Sequence, residues 1–573
     1  MIGGRWLPVL QKIPFPWHER TDEAALMIRP EQRAEELTWP DPLHEQSGPT
    51  TFWSTVNLAE AIPGVPTPMS WSIFSIGNEV SVPYAYYRLG VLPRRLTARA
   101  DSVDDRFAAI FYGRAAMNVT HLRQIADLTP GTSGDAMEEQ LLGSVREGVQ
   151  SQNSSRRLPF VLARFPIEAA GLPLRLRRLH RDQHRWWTAV TQSSPTCGLR
   201  LLAHAVDKFD AAMRIHMIAV VVTQALFEQL TRLARAAGDP GLVAQLAAGY
   251  GNYEEARMVA ELWNVSRGAL SFDAFIARYG FHGPEEGEIS SISWREDASL
   301  VTSIAERYAH HGVEDRATEQ ADRRERRIVT EQSLLANLPG PQQIKARAVL
   351  RVAQRYLPLR EVGKGAFLMA LDVARFAARR YGAELVAEGV LAQPDDVFAF
   401  TVPEVLRGLD GARGDLREVA ARRQAKRVEY QKLSFPDRWE GMPQPRIRRA
   451  TCVGVRAGDT ITGVSVTGGV VEGIARVATS LEVAEELEPG EILICEVTDP
   501  SWCALFPLVA GMVVDIGGPL SHAAIVAREM GIPCVVNTGD AVTRISTGMH
   551  IRLDATNGVV VVLDASAAPS VRD

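Results

Sequence analysis

Ser521-His522 follows the pair Gly517-Gly518 and opens the run Ala523-Ala-Ile-Val-Ala-Arg528-Glu-Met, which Gly531 and Pro533 close. A β-type run, Met512–Ile516, leads into the two glycines, where the chain can turn and a ligand can come close to the backbone. Ser521 is a good N-cap, which puts His522 at the first position of a helix that Gly531 ends and Pro533 keeps from continuing. At that position free N–H groups and the helix dipole favour negative charge. A neutral imidazole nitrogen is a competent nucleophile, so the arrangement suits a phosphoryl group carried on His522. Taken alone, a Ser-His pair also reads as a histidine that merely caps a helix.

A second cluster, Arg360-Glu-Val-Gly-Lys364, heads a helical segment that also bears Asp372, Arg375 and Arg379. Arg360 and Lys364 are one turn apart and could grip a phosphoryl group or an anionic acceptor. An Arg–Glu–Lys salt-bridge face accounts for the same pattern. The runs Arg175–Arg185 and Arg323–Arg327 could be anion sites, but solvated helix faces are the better reading. No G-x-x-x-x-G-K-[ST] loop and no G-x-G-x-x-G fingerprint at a strand–helix junction offers a nucleotide site. The five cysteines have neither CxxC nor metal-finger spacing, so they read as buried thiols in a reducing compartment, and no metal site is expected.

These residues need elements to hold them. The chain has 573 residues, too many for one core. A net charge of −5 gives no reason to expect nucleic acid as a partner. The longest apolar stretch, Met217 to Phe227, is broken by Thr223 and Gln224, and no membrane partner is expected. The N-terminus has no continuous apolar signal-peptide core, so the expected location is cytoplasmic. Residues 1–50 read as an extended lead-in. From 51 to 432 helical periodicity dominates, as in Asp210–Ala237, Ala317–Leu338 and Gln342–Leu357, with Leu338-Pro-Gly-Pro341 joining two helices as a hairpin. Residues 433–460 suit a linker. Residues 461–565 hold short β-type runs and one helix, before a tail at 566–573. The fold expected is multidomain: a large, mostly α-helical domain followed by a small α/β domain.

Gly517–Val536 resembles the signature of the mobile, swivelling domain of phosphoenolpyruvate-utilising enzymes. The likeness runs upstream through Thr498-Asp-Pro-Ser-Trp502 and downstream through Gly539-Asp540, covering residues 460–565. It implies that His522 is phosphorylated and swings between two active sites, supported by Gly517, Gly518, Ser521 and Arg528. Cys534 and Asn537 replace smaller residues, away from the histidine chemistry.

The helical part resembles rifampin phosphotransferases and related phenol-phosphorylating proteins such as phenylphosphate synthase. The likeness rests on Asn57–Trp71, on Tyr112–Asn118 with Pro130–Ser133, and on Tyr279–Glu288 with Trp294-Arg295. It implies an acceptor site, for which the candidates are His282, Glu285, Glu288, Arg295, Arg360 and Lys364. His282, Glu285 and Glu288 are the candidate bases for an acceptor hydroxyl. Relatives often carry Gly-His-Arg-Gly-Pro where this chain has Phe281-His282, which replaces a permanent cation by a titratable one. ATP-using relatives have an ATP-grasp domain ahead of the helical part, and only about 50 residues precede Thr51 here. The expectation is therefore a phosphotransferase component that carries phosphate on His522 to a small-molecule acceptor. ATP and Mg²⁺ would be handled by a separate ATP-grasp subunit. The alternative is a non-phosphorylating small-molecule-binding protein with a vestigial swivelling domain.

Overall fold

Apolar residues recurring every three or four positions form the long helices Pro68–Arg88, Leu158–Thr191, Gly198–Ala236, Gly340–Tyr356 and Leu359–Ala387. They belong to a computed structural model that describes residues 39–564, apart from 57, 63, 194–196, 240, 248–253, 311–315, 410–414, 448–454, 485, 499 and 519–520. Most of the expected lead-in, positions 448–454 within the linker, the tail, and motif positions Asn57, Asp499, Pro519 and Leu520 lie outside the described residues.

The Leu359–Ala387 helix is the axis of the helical part. Its buried positions include Gly363, Gly365, Ala366, Ala370, Ala374, Ala377, Ala378 and Gly382, which let neighbouring backbones approach. A Cβ at Gly363 would stand 2.8 Å from His216 Nδ1, and one at Gly382 would stand 2.0 Å from the Pro394 carbonyl oxygen. The Gly198–Ala236 helix packs along this axis and along Pro68–Arg88. It contains an 18-residue window of mean hydropathy 1.3, long and apolar enough by composition to cross a bilayer. Much of that apolar face is spent on the core, where Leu202, Phe209, Met213 and Val222 are buried.

Helical periodicity hides a four-stranded antiparallel sheet in this part, in the order Ala108–Phe111, Arg114–Asn118, Phe52–Ser54, Arg438–Glu440. Tyr112 (φ 48°) and Gly113 (φ 74°) make the tight turn between the first two strands, as two left-handed residues do in a two-residue hairpin. Arg438–Glu440 lies within the stretch read as linker. That stretch therefore begins as part of the helical domain, and Leu433–Ser434 also pairs with Arg446–Ile447.

The C-terminal part is an eight-stranded mixed sheet. Its parallel centre runs Val470–Ala478, Ile492–Cys495, Gly511–Val514, Cys534–Val536. The helix His522–Met530 is the crossover between the last two of these strands, as parallel pairing requires. One face of the sheet packs its own small core around Ile494, Val513, Ile551 and Val560. The other side joins the helical part: Trp502, Phe506, Ala523 and Ala527 cluster with Met258, Leu262, Phe275 and Tyr308. The Tyr308 hydroxyl donates to the Ala504 carbonyl across this junction.

The glycine at the tightest packing point gives a direct test. Gly382→Ala pushes a methyl into the Pro394 carbonyl and is expected to destabilise the protein by about 1–3 kcal/mol. Chemical denaturation should show an earlier midpoint, and an unchanged one would contradict this packing.

Candidate active site

The Ser521 hydroxyl accepts from the Ala524 N–H at 3.2 Å, and Gly531 (φ 67°) ends the helix in the left-handed region. The strand leading in is fixed by Asp515. Its carboxylate accepts from the Ala541 N–H at 2.7 Å, the Val542 N–H at 3.0 Å and the Thr538 hydroxyl at 2.6 Å. His522 is only 7% exposed. Thr498 Oγ1 lies 3.2 Å from its Nδ1, and Cys503 Sγ lies 3.5 Å from its Nε2.

Burial holds the His522 imidazole neutral, well below the ordinary histidine range, and the charges of Lys364 and Arg360 add to the effect while Glu361 opposes it. The carrier candidate thus sits against the first turns of the Leu359–Ala387 helix. Glu361 is itself buried, and burial alone would raise its pKa. Lys364 and Arg360 outweigh that and bring it down to about 2. Its neighbour Glu255 is pushed well up, by burial and by the Glu361 charge. The two carboxyls therefore hold one proton, on Glu255, and leave Glu361 ionised. Lys364 stays charged despite burial, because Glu361, Glu255 and Glu286 surround it, and its Nζ lies 3.6 Å from Glu255 Oε1.

A cavity of about 290 Å³ opens beside this turn. Its walls are apolar, with Val82, Tyr86, Phe107, Met137, Met217 and Phe227 among them. Polar lining comes from Asn78, Gln140, Thr223, Gln224, Arg360 and Glu361 of the helical part and from Arg528 of the C-terminal part, where Gly518 also borders it. Arg528 also lies over the Phe227 ring, 5.9 Å from its centroid. A volume and lining of this kind suit a small apolar molecule with a polar group at one end.

The residues predicted from sequence separate into two groups. His522, Arg360 and Lys364 come together, while Gly518 and Arg528 border the cavity. Arg528 is in the last turn of its helix and so does not support the N-terminus directly. The remaining candidates are held elsewhere. The Glu288 carboxylate accepts from the Thr67 N–H at 2.7 Å and from the Ser70 hydroxyl at 2.6 Å, tying down the start of the Pro68–Arg88 helix. Arg295 Nε donates to Asp372 at 3.0 Å, beside the Trp187 indole N–H on the same carboxylate at 2.7 Å. His282 is buried and pairs with Glu286, and Glu285 is exposed with φ 50°. None of these four lines the cavity. Sequence reasoning passed over Glu361 as a base and missed Glu255 and His216. His216 is buried, and burial together with the Arg360 charge drives it down to about 3. Its signal was a lone titratable residue at the edge of an apolar run. Among the described residues, no three His, Cys, Asp or Glu side chains converge as metal ligands.

Comparison with known proteins gives two matched regions. Residues 487–558 match the mobile domain of PEP-utilising enzymes, and residues 200–361 match the fourth domain of rifampicin phosphotransferase. An uncharacterized protein of Mycobacterium tuberculosis is 29% identical over 559 residues, covering 90% of this chain and 62% of the relative. Rifampicin phosphotransferase of a Streptomyces species is 34% identical over 322 residues, 54% of this chain and 36% of the relative. The prodigiosin synthesizing transferase PigC of Serratia marcescens is 30% identical over 298 residues, 51% and 33% respectively. The aligned region is thus less than two thirds of the length of each of these relatives. The chain is similar to phosphotransferases in both its helical and its C-terminal part.

The enclosed histidines set a pH dependence. The unfolded chain protonates His216 near the ordinary value of 6.5, whereas the folded chain resists until about 3. The unfolded state then binds more protons, so stability is full above the unfolded value and falls as pH drops. For His216 alone the loss is about 2 kcal/mol at about pH 5. His216→Gln should flatten the dependence of denaturation midpoint on pH by one proton's worth, and an identical slope would contradict its neutral burial.

Proposed function

We propose that this relative of rifampicin phosphotransferases carries a phosphoryl group on His522 and delivers it to a hydroxyl of a small, largely apolar acceptor in the 290 Å³ cavity. The observation that carries the reading is the neutral, buried His522 beside the helix turn of Arg360, Glu361 and Lys364, of which Arg360 and Glu361 line that cavity. In the loading step an imidazole nitrogen attacks the γ-phosphorus of ATP, the N–P bond forms, and ADP leaves. ATP and Mg²⁺ belong to a separate ATP-grasp subunit, which places the reaction in the cytoplasm where ATP is. His522 is enclosed when docked against the helical part, so loading requires the C-terminal domain to swing away. That fits the mobile character of the domain it resembles.

In the delivery step the acceptor oxygen attacks phosphorus, the N–P bond breaks, and His522 leaves as the neutral imidazole its surroundings favour. The acceptor's proton passes to Glu361, the ionised carboxylate lining the cavity. Arg360, Lys364 and Arg528 surround the moving phosphoryl group with positive charge, as a loose, anionic transition state requires. Apolar walls exclude water, which would otherwise compete as acceptor.

Incubation with labelled ATP and an ATP-grasp partner is expected to give an acid-labile label that His522→Ala abolishes. Arg360→Ala should still load, yet pass its label to hydroxylated aromatic acceptors roughly 100-fold more slowly. Label surviving His522→Ala would refute the assignment. No label under any condition would favour a binding protein with a vestigial swivelling domain.

A further inference from the structure

On the same first turn of the Leu359–Ala387 helix, a second opening has the opposite chemistry. Arg360 and Glu361 border the apolar cavity, whereas Pro358, Leu359 and Val362 border a groove of about 480 Å³. Four other helices contribute its charged rim: Arg177, His180 and His184 from Leu158–Thr191, Glu254 and Arg257 from Glu254–Ser266, Arg278 from Phe272–Tyr279, and Arg355 from Gly340–Tyr356.

We propose that this groove is a binding site for a polyphosphate-type anion, separate from the acceptor cavity. The rim holds four arginines and one glutamate, and with Glu261 behind Arg278 counted the excess is two positive charges, in a chain whose net charge is −5. Glu254 is already engaged by His180 at 3.1 Å, and Arg278 by Glu261 at 2.6 Å. Some other helix arginines of this chain have a carboxylate one turn away, as Arg178 does with Asp182 at 3.7 Å and Arg214 with Asp210 at 3.0 Å. Among the described residues Arg177, Arg257 and Arg355 have no such partner, although they come from three different helices facing one opening. Gathering unopposed guanidinium groups costs self-repulsion, which a multiply charged anion removes. The planar donor fork of arginine matches phosphate oxygens in particular. His180 adds to this: burial opposes its charge, but Glu254 outweighs burial and raises its pKa. The volume accommodates a chain of phosphates with or without a nucleoside.

The test is titration of the full chain with inorganic pyrophosphate and, separately, with ATP, followed by calorimetry. Saturable one-to-one binding that weakens steeply with added salt is expected. Arg257→Glu and Arg355→Glu should each weaken it at least tenfold, roughly 1.4 kcal/mol, without moving the thermal midpoint, because both side chains are exposed. His522→Ala and Arg360→Ala should bind as the parent chain does, which separates this site from the proposed reaction. Tighter binding of ATP than of pyrophosphate identifies a nucleotide ligand, and equal binding identifies the phosphate chain alone. Binding that survives both charge reversals overturns the proposal. So does the absence of saturation by either anion, which would leave the groove to an acidic protein surface.

Discussion

A neutral imidazole enclosed beside two cations is the interaction on which the arrangement depends. His522 loses its water on docking, and Lys364 and Arg360 then make protonation more costly still. That combination would be merely expensive for a residue meant to stay charged. For a nucleophile that must offer a lone pair it is the required state. The same cations that repel a proton from His522 attract the phosphoryl group it is proposed to carry. Their own charges persist in the interior because Glu255 and Glu361 hold a single proton between them. One carboxylate remains to balance Lys364.

Packing makes this charge cluster sit where it does. Gly363 lets the Leu359–Ala387 helix close on His216, and a Cβ at Gly365 would meet the Glu254 carboxylate at 2.6 Å. Both glycines bring the cationic turn to the junction between the two parts of the chain. The junction itself is an apolar cluster of Trp502, Phe506 and Ala523 against Met258, Leu262 and Tyr308. Undocking exposes that surface, at roughly 25 cal/mol for each Å² of apolar area.

Local sequence logic recovered the parts of the site that are local. The N-cap Ser521, the first-turn position of His522 and the stop at Gly531 all follow from residue types within a few positions, and the helix occupies His522–Met530. The spacing of Arg360 and Lys364 put both on one helical turn, but it left open whether they form salt bridges or a site. Both form ion pairs, Lys364 with Glu255 and Arg360 with Glu361, and their charges also act on His522. Glu255 lies 109 positions from Lys364 in sequence, and no local pattern points to it. Strands of three residues such as Phe52–Ser54 and Arg438–Glu440 are too short for alternation to register, so the sheet they form went unseen. Glu288 and Arg295 read as chemistry because motifs attract attention to polar residues. Their hydrogen bonds show that the same stretch anchors a helix start and a buried Asp372.

The most direct measurement is the titration of the His522 ring in the full chain with selectively ¹⁵N-labelled histidine, compared between the parent and Lys364→Met. The account predicts an imidazole that stays neutral far below the ordinary histidine value of 6.5, with its midpoint moving upward when the Lys364 charge is removed. An ordinary midpoint that does not respond to Lys364→Met would contradict it, because His522 would then be neither enclosed nor docked against the turn that carries Arg360, Glu361 and Lys364.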